Sequence, residues 1–171
     1  DALGFDLTTI EAMVLSHGHM DHFGGLEQLA QRVGKKGIEL VVHPTAFRTS
    51  RYIKVTEEFK IGLPALKRER FENAGISLVE SKEPRMLLDD SVLFLGEIPK
   101  QTEFEKGFPR MHYDEDGETK WDPIEEDSAI VANINRKGLV ILSGCAHSGI
   151  INTVKYAREV SGVDSIFVVM G

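Results

Sequence analysis

The stretch His17-Gly18-His19-Met20-Asp21-His22 places four potential metal ligands within one short segment, directly after an apolar run, Ala12-Met13-Val14-Leu15, that reads as a buried strand. Imidazole nitrogen and carboxylate oxygen are donors that borderline divalent metals such as zinc accept. Histidines at i and i+2, followed by an Asp-His pair, suit a loop that curls around a dinuclear centre. Helical H-E-x-x-H chemistry needs histidines four apart on one face. This stretch is instead entered from a strand and left through Phe23-Gly24-Gly25, so a loop is the expected conformation. The glycines let backbone pass close to bound ions. A His-rich surface turn that binds nothing is the alternative, and four ligands between a strand and a Gly-Gly helix start make it the weaker one.

Several other residues could extend such a site. His43, before Pro44, ends a strand expected beside the metal loop, which suits a role touching substrate or supporting a ligand; a structural histidine is the alternative. Arg48 and Arg51 follow, and a guanidinium fork matches phosphate, although two arginines in a polar stretch also suit a solvated face. Glu97, in Gly96-Glu97-Ile98-Pro99, could hydrogen-bond substrate or orient a ligand histidine. His112 and Trp121 could line a lid over a pocket or simply face water.

The elements that must position these residues follow from periodicity. A short helix over residues 7–11, capped by Asp6 or Thr8, leads into a strand over 12–16 and the metal loop. Leu26, Leu29, Ala30 and Val33 fall at helical spacing before Gly34, a C-terminal cap, and a strand over 38–42 follows. Strand, loop, helix and strand in this order predict a layered α/β architecture. Residues 44–63 hold short pieces, 66–74 a charged helix closed by Gly75, and 76–79 and 91–95 strands, with Asp89-Asp90 as a turn. Residues 97–127 carry Pro99, Pro109 and Pro123, many charges and no sustained apolar period, which predicts a long loop, a lid or a disordered excursion. Residues 129–134, the turn Arg136-Lys137-Gly138 and residues 139–142 form a hairpin, and Ser148 is expected to cap a helix over 150–160.

A chain of 171 residues, 42% hydrophobic and 27% charged, can bury one real core as a single domain spanning 1–171. No apolar run is long enough to span a membrane and the first residues lack a signal-peptide pattern, so a cytoplasmic location is the default expectation. One cysteine excludes an intrachain disulfide framework. A net charge of −7 argues against a general nucleic-acid surface.

The segment LSHGHMDHFGGL at 15–26 resembles the H-x-H-x-D-H motif of the metallo-β-lactamase superfamily. Gly96-Glu97-Ile98-Pro99 with Thr102-Glu103-Phe104-Glu105, and Leu142-Ser143-Gly144-Cys145-Ala146-His147-Ser148-Gly149-Ile150, narrow the resemblance. They are similar to the subgroup of metal-dependent hydrolases that includes the archaeal dihydropterin ribofuranosylaminobenzene 5′-phosphate synthases. The resemblance implies a four-layer αββα sandwich, incomplete at both ends, with strands expected before Asp1 and beyond Gly171 and a further ligand histidine just after the last strand.

It also implies that His17 and His19 bind one metal and Asp21 and His22 another, with His147 the best remaining ligand. His147 sits where a strand turns into a helix, and a plain helix-capping histidine is the alternative there. Many members carry a bridging Asp where this chain has Cys145 after Gly144. Cys145 is then a ligand, a neighbour that binds nothing or a small buried hydrophobe, and the readings without ligation are preferred. A cysteine nucleophile is the weakest option.

The expected cofactors are two divalent ions, zinc first and manganese, iron or magnesium as alternatives, which clamp an ester and lower the pKa of a bridging water towards ~7. Asp21 would orient that water as well as bind metal, making Asp21 and His147 the expected catalytic residues. The expected activity is hydrolysis of a small phosphorylated ester. The first alternative is a transferase joining a pterin diphosphate to an arylamine, and the second is a metal-binding module without catalysis. Fold does not choose among them.

Overall fold

A computed structural model describes residues 4–171. Three parallel strands, β1 (Ala12–Val14), β2 (Glu39–Val42) and β5 (Ser77–Glu80), form one sheet in the order β1-β2-β5. Strand β1 leads through a one-turn helix α1 (Met20–Phe23) and helix α2 (Leu26–Val33) to β2. Helix α2 buries Leu26, Ala30 and Val33, and Gly34 ends it at φ 67°, a left-handed cap that glycine adopts without a Cβ clash. Strand β2 is buried on both faces, as parallel strands covered on both sides must be. Leu40 and Val42 join Met13, Val33 and Phe71 on the face covered by α2 and α3 (Arg68–Asn73), whereas Val41 points the other way onto Leu87 and Phe94.

That second contact belongs to a five-stranded sheet, ordered β12-β11-β10-β7-β6, built from β6 (Arg85–Leu87), β7 (Val92–Phe94), β10 (Ala129–Ile134), β11 (Gly138–Ser143) and β12 (Ile166–Met170). Phe94 and Ile130 face the parallel sheet, and the alternate residues Leu93, Val131, Leu139 and Ile141 pack towards Ala157 of α4 (Ile150–Ser161). The period of two along these strands thus separates two cores, and the result is helix on sheet on sheet on helix. As expected, 129–134 and 138–143 pair as a hairpin. Strand β12 pairs with β11 alone among the described residues and leaves Phe167, Val169 and Met170 exposed. No helix among the described residues is long and apolar enough to cross a membrane.

The segment expected as one long loop, 97–127, is the main correction. It contains β8 (Met111–Glu115) and β9 (Glu118–Trp121), which join β3 (Arg51–Lys54) and β4 (Lys60–Gly62) in a four-stranded antiparallel sheet ordered β4-β3-β8-β9. The β8–β9 turn is Asp116-Gly117, with φ of 54° and 81°, the positive values a two-residue hairpin turn requires. Its dipeptide signal was in the sequence. The strands were hidden because β8 and β9 are polar and half exposed, and β8 takes its other partner from β3, with Tyr52 opposite His112.

Smaller corrections concern helix ends. The expected helix over 7–11 is a 3-10 turn, Leu7–Thr9, whose Thr8 amide donates to Asp6. The metal loop is not loop throughout, because α1 carries Asp21 and His22 on a helical turn with His19 at its N-cap. Ser148 does not cap α4. Gly149 occupies the cap position at φ 95°, and the Glu105 carboxylate, reaching from the 97–107 segment, accepts the Ile151 and Asn152 amides at 3.0 and 2.9 Å.

Candidate metal centre

The segments after the carboxyl ends of β1 and β11 converge, and so do the side chains they carry, at the strand ends where α/β sheets place ligand sites. His17 and His19 come from the β1 end, Asp21 and His22 from the turn of α1, and Cys145 and His147 from the β11 end. His17 is buried; its ring centroid lies 4.6 Å from that of His19, 4.1 Å from His22 and 4.8 Å from His147. His19 and His147 stand 4.9 Å apart. Ser16 Oγ lies 3.2 Å from His17 Nδ1 and 3.3 Å from His22 Nδ1, so one hydroxyl steadies both rings.

Cys145 stands at the centre of the donor geometry. Its Sγ lies 3.2 Å from His22 Nε2. The donor atoms of His17, Cys145 and His147 all lie within 4.8 Å of one another, and so do those of Asp21, His22 and Cys145. Two three-donor groups therefore share one thiol. The sequence-based preference for a cysteine that binds nothing looked only along the chain, where Cys145 stands beside His147 but more than a hundred positions from His22.

Backbone form makes this convergence possible. Ala146, between Cys145 and His147, has φ 52°, a left-handed conformation costing a non-glycine residue about 1 kcal/mol or more. A Cβ on Gly144 would fall 2.5 Å from Ser16 Oγ and 3.3 Å from the His22 ring, so only glycine lets β11 end against the histidine loop. A Cβ on Gly18 would fall 2.4 Å from the Ala46 carbonyl, which explains the glycine inside the His-x-His pair.

Electrostatics keep these imidazoles neutral. Burial, reinforced by repulsion from neighbouring histidines and Arg51, depresses His17 to about 2. Burial first, then His147 and Arg51, depress His19 to about 4. Burial also lowers His147, with Asp127 pulling the other way. Neutral imidazole is the form that ligates metal. His19 Nε2 and His147 Nε2 are buried and have no hydrogen-bond partner among the described residues, a costly state for a polar atom unless a ligand satisfies it. These orphaned nitrogens, the neutral rings and the mixed N, O and S donors all fit divalent metal. Burial and the charges of Asp21 and Asp127 raise the Cys145 thiol, so without a cation it stays protonated.

His43 is buried outside both donor groups: its Nδ1 accepts the Thr45 amide at 3.2 Å, capping the 3-10 turn Pro44–Phe47, and its Nε2 lies 3.5 Å from Glu97 Oε2. The arginines go elsewhere. Arg51, buried, lies 2.7 Å from Asp122 and 2.5 Å from Glu126. Arg48 lies 2.8 Å from Asp122 and 2.7 Å from Glu125 and covers the Tyr113 ring. Carboxylates of this chain occupy the forks expected to hold phosphate. His112 stacks beside Tyr52, and the exposed Trp121 donates to the Phe108 carbonyl, both within the four-stranded sheet.

Sequence reasoning missed the acidic side of the site. Asp127, buried, accepts the Ser148 amide at 2.8 Å and so fixes the segment bearing His147. Glu126 and Asp122 are buried as well. The signal was the acidic run Glu125-Glu126-Asp127 just before an apolar strand, which read as part of a solvated loop. Two hollows flank the cluster: one of about 660 Å3 is lined by Ser16, His22, Ser128, Gly144 and Cys145, and one of about 490 Å3 by Phe104, Lys106, Phe108, Cys145, His147 and Ile150.

The profile of the metallo-beta-lactamase superfamily matches residues 1–158. The 7,8-dihydropterin-6-methyl-4-(beta-D-ribofuranosyl)-aminobenzene-5′-phosphate synthase of Methanocaldococcus jannaschii is 32% identical over 99% of this chain and 58% of its own length. An uncharacterized protein of the same archaeon is 31% identical over 95% of this chain and 56% of its own. The chain thus spans less than two thirds of the curated relatives it matches. Among solved structures, Tm1679, a metal-dependent hydrolase of the beta-lactamase superfamily, superposes with a TM-score of 0.75 at 23% identity, covering 99% of this chain and 59% of that one. The chain belongs to the metallo-beta-lactamase superfamily.

Proposed function

We propose that the cluster holds two divalent metal ions, zinc first, and acts as a hydrolase on a small phosphorylated ester. The observation that carries this reading is the pair of three-donor groups joined at Cys145. His17, Cys145 and His147 would hold one ion, with His19 completing the set through its orphaned Nε2, and Asp21, His22 and Cys145 the other. Such a pair of ions, when bound, would supply Lewis acidity for a displacement on a phosphate ester. The chain's own residues do the rest. Asp21, exposed in the first turn of α1, would accept a proton from an attacking water. The hollow beside His147, with Phe104 and Phe108 on its wall, offers an apolar surface, and Lys106 offers a cation beside the Glu105 carboxylate, which is taken up by the α4 amides.

A second reading, in which an arylamine displaces the diphosphate from a pterin diphosphate so that a C–N bond forms and diphosphate leaves, is favoured by the 32% identity to the synthase over nearly the whole chain. One experiment separates the two. The zinc-loaded protein is incubated in 18O-labelled water with a phosphate ester, and separately with a pterin diphosphate with and without the arylamine. Label in the released phosphate, independent of amine, is the expected result for the hydrolase. Product that forms only with amine and carries no label rejects hydrolysis in favour of transfer. Protein that takes up no metal and turns over neither substrate rejects both.

A further inference from the structure

We infer that Glu126 is the positioning residue of the metal centre, holding the His17–His19 pair in register through the backbone between them. The inference rests on the metal reading above for its consequence, but its geometry stands without it. Glu126 is buried, and its Oε1 accepts from the amide of Gly18, the one residue between the two histidines, at 3.4 Å. The same oxygen is 2.5 Å from Arg51, and Oε2 accepts the Thr45 hydroxyl at 3.2 Å. On the other side, the Ala46 carbonyl sits where a Gly18 Cβ would be, so Gly18 lies against the 3-10 turn with no space to shift that way. Gly18 is thus held between a carboxylate and a backbone surface, and His17 and His19 leave it on either side.

Charge explains why a carboxylate is used. Burial alone would raise Glu126, but Arg51, by its charge and its hydrogen bond, outweighs burial and holds the carboxyl below the ordinary range, so the acceptor is ionised. An ionised acceptor makes a stronger bond to an amide than a neutral one does. Arg51 is itself held by Asp122, which is tied to Arg48, so the grip on Gly18 is anchored in the four-stranded sheet. The hairpin over 111–121 and β3 together carry the frame against which the histidine loop is held.

The test compares two substitutions of one residue. Glu126→Ala removes the acceptor, while Arg51 keeps Asp122; Glu126→Gln keeps an acceptor oxygen at the same reach. Two quantities are read: hydrogen exchange of the Gly18 amide in the metal-free protein, and zinc affinity by competition with a chromophoric chelator. Expected for Glu126→Ala is exchange at Gly18 faster by about tenfold or more, and zinc affinity weaker by about 10- to 100-fold, the usual range for residues that orient metal ligands. Glu126→Gln, which keeps the acceptor oxygen without its charge, should recover part of both.

Arg48→Gln, which loosens the same network without touching Glu126, should leave Gly18 exchange and zinc affinity within about threefold of wild type. If Glu126→Ala does not fold, Glu126→Met, of similar length and without an acceptor, replaces it against Glu126→Gln. Unchanged Gly18 exchange in the variant lacking the acceptor overturns the inference, and so does an Arg48→Gln loss as large as that of Glu126→Ala. Wild-type protein that binds no zinc rejects the metal reading alone, and the exchange comparison still decides the role of Glu126.

Discussion

Two buried polar clusters lie side by side in this molecule and solve the cost of burial in opposite ways. The network of Arg48, Arg51, Asp122, Glu125 and Glu126 keeps its charges and pairs them at 2.5 to 2.8 Å. The histidine cluster gives up its charge, with His17 and His19 depressed to about 2 and about 4, and leaves buried nitrogens without partners. Paired charges hold a structure together, whereas neutral unpaired donors wait for a ligand. The contrast separates frame from site where composition alone does not, since both clusters are polar and each is built on buried members.

The largest effect expected from this contrast is on the frame. Arg51→Ala leaves Asp122 and Glu126 buried without their cation and should destabilise the protein by about 3–5 kcal/mol, measured by denaturant unfolding of the metal-free chain. A loss below about 1 kcal/mol would mean that the network does not carry the fold.

The next effect lies in the site and not in the frame. His17→Ala or Asp21→Ala should remove at least one metal ion per chain by elemental analysis, with a much smaller change in metal-free unfolding than Arg51→Ala produces. Unchanged metal content in both variants would reject this ligand set.

Cys145→Ser tests the shared thiol. Loss of sulfur from both donor groups should weaken zinc affinity by about tenfold or more, yet measurable turnover should persist at saturating zinc because the thiol is not a nucleophile. A substrate adduct on Cys145 in the intact mass spectrum would overturn that assignment.

The smallest effect is a pH dependence that tells the clusters apart. Below the ordinary histidine value of 6.5, the unfolded chain binds protons that folded His17 and His19 refuse, so metal-free stability should fall as pH drops from 6.5 towards 4. The Glu126 contribution, from a depressed carboxyl, is fully present above the ordinary 4.5 and is lost only below it. His17→Gln should therefore reduce the slope of the thermal midpoint between pH 6.5 and 4.5, with His19 keeping the remainder, and leave the acid limb in place. A wild-type midpoint that is level across that upper window would break the distinction.

By itself the sequence determined what is local. The His-x-His-x-Asp-His spacing, the apolar strand before it, helix α2 with its Gly34 cap and the β10–β11 hairpin depend on residues within a few positions of one another, where periodicity and turn chemistry act directly. Tertiary structure decided what depends on partners far along the chain. Arg48 and Arg51 read as a solvated face or as phosphate forks, and instead they pair with Asp122, Glu125 and Glu126, more than seventy residues away. No local signal puts Cys145 beside His22, and residues 97–127 read as loop until β3 supplied the partner for β8. In each case the deciding quantity is a distance of a few ångströms between groups far apart in the chain. Side-chain chemistry says what such a contact would do, and only the packed strands say which contact is made.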